Sequence, residues 1–198
     1  MSEPTAPWAP LSVGEAVEAM TPFPARWWIS GGWALELHVG RSWRAHDDTD
    51  VGVLRRDAPT LLDTLAGWEV FVAARGRLRP WAGEPLREAA RENNLWCRRS
   101  DDGPWRLDVP LGAGDDDAWA YRRDPEVRVP WAEAVLSTRE GVPYLAPQLQ
   151  LLFKSAAPRP KDHHDAREVI PALAPSPAEW LRARLPDSHP WWGMLPGA

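Results

Sequence analysis

A single cysteine, Cys97, stands among 198 residues. That excludes an internal disulfide and fits a reducing compartment, so a cytoplasmic setting is expected. Positive charge is not in excess. There are 23 basic against 28 acidic residues, a net charge of −5. This argues against a protein that coats nucleic acid, though not against a local basic pocket. No apolar run approaches the roughly 18 residues of a membrane span, so no membrane partner is expected. The first ten residues have neither a basic start nor an apolar stretch, so no signal peptide is expected. Lysine is almost missing. Of the 23 basic residues only Lys154 and Lys161 are lysines, and they lie close together. Where arginine serves everywhere else, paired lysines suggest a place for a compact ammonium; codon bias and chance are the alternative.

What is present describes a packed domain. Apolar residues make up 44% and charged residues 26%, enough for a sizeable core and too apolar for disorder. The length suits one domain, or one with a small appendage. Scattered among these are 22 prolines and 14 glycines, which predict many short elements. The 14 tryptophans, from Trp8 to Trp192, read as packing residues.

Ser12 and Glu15 have capping-box spacing and predict a helix to about Met20. Trp27 to Ser30 reads as a buried strand, Ser30-Gly31-Gly32 as a tight turn, and Trp33 to Val39 as a helix stopped by Gly40. A polar loop, Arg41 to Asp47, leads to a strand over Asp48 to Leu54. A helix over Pro59 to Ala66 and a strand over Trp68 to Ala73 follow, and residues 74–92 carry no clear pattern. Leu95 to Arg98 and Trp105 to Leu111 flank a hairpin turn at Ser100-Asp101-Asp102-Gly103. Residues 112–126 read as an acidic, glycine-containing loop, and Trp131 to Leu136 as a short helix. Helices are expected after Pro147, from an Asp162 cap to about Ala174, and around Ser176 to Glu179. Strands come first and helices last. The expected fold is α+β, a small mixed sheet flanked by helices, with a core over 1–130 and a C-terminal helical cap over 131–198 in one compact unit.

The first candidate site is Asp48-Thr49-Asp50. Side chains at i and i+2 share one strand face, with Cα atoms roughly 6.5 Å apart. Two carboxylates so placed can converge on Mg²⁺, a hard cation that takes oxygen ligands and often substrate phosphates. Without a cation their charges repel and one tends to stay protonated. Read alone, the pair also suits a solvated strand end. Upstream, Ser30-Gly31-Gly32 ends a strand and precedes a helix, where backbone N–H groups and the helix N-terminus favour phosphate; alone, it also suits an ordinary turn. Asp108 is polar in mid-strand, on the face opposite Leu107, Val109 and Leu111, and joins the site if its strand neighbours that of Asp48.

These residues carry a resemblance. Ile29-Ser30-Gly31-Gly32-Trp33-Ala34 through Gly40-Arg41, then Arg44-x-His46-Asp47-Asp48-x-Asp50, resembles the nucleotidyltransferase superfamily, and within it the aminoglycoside and lincosamide branch. The likeness is close from Trp27 to Val53. It returns at Pro143 to Pro147, Leu151 to Lys154 and Arg159 to Asp165. It implies transfer of a nucleoside monophosphate from a nucleoside triphosphate, ATP first among them, to an acceptor hydroxyl. It also implies Mg²⁺ held by Asp48, Asp50 and Asp108, with Asp108 free to act as general base. Ser30, Gly31, Gly32, Arg44, Lys154 and Lys161 are then nucleotide-binding candidates, Lys154 favoured by the resemblance, with Arg41 and Arg159 as alternatives.

His46 reads as a structural hydrogen-bonder rather than a ligand. Asp162-His163-His164-Asp165 is similar to the DHH phosphoesterase motif, but it opens a helix, where Asp162 as cap and Asp165 in the first turn account for it. Asp115-Asp116-Asp117 reads as a solvated loop or as an attractor for a cationic acceptor. The expected acceptor is a hydroxylated small molecule, an aminoglycoside-like antibiotic among the candidates. The alternatives are a toxin-like transferase acting on RNA or protein, and a non-catalytic nucleotide-binding module.

Overall fold

A computed structural model describes residues 6–100 and 103–197. Helix α1 (Val13–Met20) begins at Ser12, whose side chain and that of Glu15 form the reciprocal capping box. Strand β1 (Trp27–Ile29) runs into α2 (Gly31–Val39), which Gly40 ends in the left-handed conformation. Both glycines therefore lie inside the first helical turn, with Ser30 as N-cap, rather than in a separate turn. β2 (Val51–Leu54) starts later than the expected strand. Asp48 and Thr49 precede it, and Asp50 forms an isolated parallel bridge to Asp108. The helix expected over 59–66 is a 3-10 turn (Arg55–Thr60) followed by the single turn α3 (Leu61–Thr64).

The hairpin of β3 (Glu69–Ala74) and β4 (Arg77–Pro80) resolves part of the segment that had no pattern. β5 (Asn94–Arg98) and β6 (Leu107–Gly114) pair antiparallel. Asp101 and Asp102 of the expected turn between them lie outside the described residues. The loop expected over 112–126 is largely strand. β6 continues to Gly114, and β7 (Ala118–Tyr121) pairs with β8 (Asp124–Pro130). The acidic stretch between β6 and β7 and the Arg122–Arg123 connection between β7 and β8 turn, and the rest is strand, with Trp119 and Tyr121 packed inside. The helix expected over 131–136 is one turn, α4 (Trp131–Ala134), and then β9 (Val135–Ser137).

β10 (Pro143–Leu145) leads to α5 (Pro147–Ser155), with proline at its first position. α6 (Pro160–Val169) is capped by Arg159, not Asp162. Asp162 sits three residues in and accepts the Arg159 backbone N–H at 2.9 Å. α7 (Pro175–Arg182) follows.

Among the described residues ten strands form one sheet, ordered β4-β3-β5-β6-β2-β1-β10-β9, with β7 and β8 added beside β6. β1–β10 and β2–β6 are parallel and the other pairs antiparallel, so the sheet is mixed. The α+β architecture with flanking helices thus holds, on a longer sheet than expected. β9 and β10 carry residues beyond 130 into the same sheet as the rest. Helix α2 packs against α5 and α6, and α5 against α7. Leu107, Val109 and Leu111 face the core as their alternation predicts. Among the described residues no helix is long and apolar enough to cross a membrane.

Candidate active site

The parallel bridge between Asp50 and Asp108 is the geometric basis of the site. The Asp108 N–H donates to the Thr49 carbonyl at 3.0 Å, and the Ser30 N–H donates to the Asp50 carbonyl at 2.9 Å. The buried Thr49 hydroxyl donates to the Leu11 carbonyl at 2.6 Å and ties the segment to the start of α1. Asp48, Asp50 and Asp108 each bring one carboxylate oxygen within 4.8 Å of the others. Among the described residues no other three acidic, His or Cys side chains gather in this way.

Each carboxylate is held differently. Asp108 is buried and accepts from Asn94 Nδ2 at 2.8 Å and Trp96 Nε1 at 3.2 Å. Burial raises its pKa to about 7, helped by the Asp48 charge and opposed by the Asn94 and Trp96 hydrogen bonds. Burial pushes the Asp50 carboxyl well above the usual range, and Asp108 and Asp48 push the same way. The positive charges of Lys154 and Lys161 oppose that rise. Three carboxylates so gathered, two of them buried enough that their ionisation is resisted until a cation arrives, are a donor set that suits a hard divalent ion.

Gly31 makes the closeness possible. Its φ is +66°, and a Cβ there would collide with Asp50 Oδ2. Its N–H donates to Gln150 Oε1 at 2.9 Å, which ties the start of α2 to α5. A Cβ at Gly32 would strike Arg44 and His46. His46 stacks on Trp33 at 4.1 Å, with Nε2 3.1 Å from Glu36, and lies outside the carboxylate group.

A cleft of about 410 Å³ opens in front of these elements. Ser30, Gly31, Gly32, Asp48, Asp50 and Gln150 line one part of it. Arg44, Arg122, Arg123, Lys154, Arg159 and Lys161 supply positive charge, and Trp28, Trp119 and Phe153 supply apolar surface. Trp28 lies across Gly52 and Gly112, where any side chain would meet its ring. A second groove, about 240 Å³, is lined by Asp108, Asn94, Trp96 and the β3–β4 hairpin. Asn94 borders both spaces.

The candidate cations differ in how free they are. Lys154 faces the cleft from α5, with its ammonium 2.7 Å from Asp162 and 3.1 Å from Asp165. Arg44 gives Nε and Nη2 to Asp165 at 2.8 and 3.0 Å, so its guanidinium braces α6 and has little left for a phosphate. Burial alone would raise Asp162, but hydrogen bonds from Arg159 and Lys154 hold it well below the usual carboxylate range. Asp165, fully buried, is likewise held down by Arg44 and Lys154 against the effect of burial. The two acids of the Asp162-His163-His164-Asp165 motif are thus anchors for cations, and His163 accepts from Trp191 Nε1 at 2.9 Å. Lys161 lies 3.4 Å from the exposed Asp47. Arg41 pairs with Glu168, away from the cleft lining. Asp115 pairs with Arg128 and Asp116 with Arg56, and none of the three aspartates 115–117 lines either space.

Gln150, Asn94, Trp96, Arg122 and Arg123 escaped the sequence reading. Asn94 and Trp96 could have been found from hairpin register opposite Asp108. Arg122 and Gln150 reach the cleft through tertiary packing and leave no local signal.

Comparison with known proteins follows this geometry. The lincomycin-bound crystal structure of the lincosamide antibiotic adenylyltransferase LnuA is similar, with a TM-score of 0.55 and 18% identity over 81% of this chain and 96% of that one. The fold is a nucleotidyltransferase fold. ANT(2'')-Ia in complex with adenylyl-2''-tobramycin shares it, with a TM-score of 0.55 and 19% identity over 86% of this chain and 92% of that one. So does the solution structure of the antibiotic-resistance factor ANT(2'')-Ia, with a TM-score of 0.53 and 18% identity over 86% and 87%. Residues 12–80 match the sequence family described as aminoglycoside-2''-adenylyltransferase. That stretch holds Gly31, Gly32, Asp48 and Asp50 and stops short of Asp108 and Lys154. The resemblance to the aminoglycoside and lincosamide nucleotidyltransferases is thereby borne out. No curated protein sequence matches the chain.

Proposed function

We propose that this protein is a Mg²⁺-dependent nucleotidyltransferase that moves a nucleoside monophosphate, from ATP first among the triphosphates, to a hydroxyl of a small molecule. The observation that carries the reading is the convergence of Asp48, Asp50 and Asp108 beside the Gly31-Gly32 start of α2, in a cleft with a basic wall. Retention of all three carboxylates favours catalysis over a nucleotide-binding module. The acidic balance of the chain disfavours nucleic acid as partner. A buried single thiol, Cys97, is compatible with the cytoplasm.

The three carboxylates would hold Mg²⁺, since all are hard oxygen donors gathered to one point. When bound, the ion supplies positive charge that offsets the phosphate oxygens and makes the acceptor hydroxyl easier to deprotonate. The chain does the rest. The N-terminal turn of α2 and the ammonium of Lys154 orient the triphosphate. The apolar surface of Trp28, Trp119 and Phe153 offers a seat for a base. The acceptor oxygen bonds to the α-phosphorus, the bond from that phosphorus to the bridging oxygen breaks, and pyrophosphate leaves. Asp108, on the groove side, takes the hydroxyl proton. The test is release of pyrophosphate from labelled ATP with Mg²⁺ and a panel of hydroxylated acceptors, for the wild type and Asp50→Asn. Turnover in the wild type and none in the variant supports the reading. Equal turnover in both removes the carboxylates from the chemistry.

A further inference from the structure

The groove on the far side of Asp108 has a charge that the reaction does not require. In the sheet, β6 divides two regions: β1, β2 and β10 toward the triphosphate side, and β5, β3 and β4 on the other. The larger cleft belongs mainly to the first region and the smaller groove to the second, and they meet at Asn94. A molecule presenting a hydroxyl to Asp108 from the groove must extend over β5 toward the β3–β4 hairpin.

Arg75 and Arg77 wait there. Both line the groove and both are exposed. Their neighbour Arg79 is ion-paired to Glu84 and Glu92, whereas Arg75 and Arg77 have no ion-pair partner among the described residues. Asp108 is the only carboxylate among the groove's lining residues, and besides the two arginines the remainder is Asn94, Trp96 and small or apolar residues. The hairpin itself is unusual. Its two loop residues, Arg75 and Gly76, have φ values of +54° and +72°. A two-residue turn with both φ positive favours Asn, Asp or Gly at its first position, and an arginine there is held against its backbone preference.

We propose that the acceptor carries a negatively charged group, a carboxylate or a phosphate, which Arg75 and Arg77 bind while its hydroxyl reaches Asp108. The proposal rests on the nucleotidyl-transfer reading and names the acceptor's class. Each guanidinium can give two parallel hydrogen bonds to a pair of oxygens on either anion. The same two charges would repel a polycation.

The test is calorimetric titration of the protein saturated with Mg²⁺ and a non-hydrolysable ATP analogue. The probes are glucose 6-phosphate, glucuronate, glucose and tobramycin; the first two separate phosphate from carboxylate. At least one anion should bind more tightly than glucose. Arg75→Glu/Arg77→Glu should weaken that anion at least ~10-fold, the effect of one lost charge-assisted contact, and strengthen tobramycin. Arg75→Lys/Arg77→Lys should retain part of the anion affinity. Arg77→Glu alone, on an exposed strand position, serves if the double reversal unfolds. Anions that bind no better than glucose overturn the proposal, as does an anion affinity indifferent to charge reversal. Failure to bind the ATP analogue at all instead removes the nucleotidyl-transfer reading on which the proposal stands.

Discussion

Gly31 and Asp50 share one space: the Asp50 carboxylate lies where a Cβ at position 31 would stand. Gly31→Ala therefore meets two obstacles. A φ of +66° costs an L-residue roughly 1–2 kcal/mol, and the new methyl must displace a carboxylate of the proposed metal-binding group. The variant should melt lower and lose Mg²⁺-dependent turnover by more than its stability loss explains. Thermal melts with and without Mg²⁺, beside pyrophosphate release, check this. A variant with wild-type turnover would show that Asp50 need not sit there.

Asp108 makes the metal-free protein sensitive to alkali. Its folded pKa, about 7, lies above that of the unfolded chain, so the folded state binds its proton more tightly. The stabilisation is fully present below the unfolded value near 4 and is lost as pH rises through about 7. In chelator, the wild type should lose stability relative to Asp108→Asn between pH 5 and pH 8, on the order of 3 kcal/mol. Asn cannot satisfy both Asn94 and Trp96 as the carboxylate does, which offsets part of this at every pH. Mg²⁺ should raise the wild-type melting temperature and leave that of Asp108→Asn nearly unchanged. A pH-independent difference between the two proteins would sink the argument.

Lys154 and Lys161 should separate cleanly. Lys154 is a buried cation between two buried carboxylates. Its removal leaves Asp162 with Arg159 and Asp165 with Arg44, so Lys154→Ala should cost roughly 1–3 kcal/mol, less than breaking an isolated buried pair. It should also weaken nucleotide binding roughly 10- to 150-fold, the loss of a charge-assisted contact of about 1.5–3 kcal/mol. Lys161→Ala removes a partly exposed contact to Asp47 and should change stability by at most about 0.5 kcal/mol. Nucleotide titrations at one salt concentration decide it; a larger loss for Lys161→Ala reverses the assignment.

What could be read from the sequence was what is local. Gly31, Gly32, Asp48 and Asp50 lie within one short stretch, and their spacing carries their chemistry. Asp108 could be singled out by alternation along its strand, but its place beside Asp50 depends on a parallel pairing that no local pattern encodes. The segment 112–126 misled because Gly112, Gly114 and three aspartates outweigh the shorter signal of Trp119 and Tyr121, which turn inward and make strands there. Asp162 misled in position only. A proline at the first helical position shifts the cap to Arg159, and the carboxylate then reaches back instead of starting the helix. Gln150 had no signal, because a glutamine on a helix is ordinary until a glycine N–H from another element is placed against it.

That glutamine supports a last prediction. Gln150 is buried in α5, and its Oε1 accepts the Gly31 N–H at 2.9 Å. It also lines the cleft near Asp50, so it both fixes the start of α2 and helps set the charge met by a phosphate. Two substitutions separate these roles. Gln150→Leu leaves the Gly31 N–H without its partner, at a cost of about 1–3 kcal/mol. Gln150→Glu keeps an acceptor oxygen of the same reach but adds a negative charge where the triphosphate is to lie. It should retain most of the stability at pH 7 and lower nucleotide affinity at least ~10-fold, with the loss growing as the pH rises and the new carboxyl ionises. Denaturant melts and nucleotide titrations from pH 5 to 8 measure both. If Gln150→Glu binds nucleotide as the wild type does across that range, the phosphates do not pass beside the start of α2.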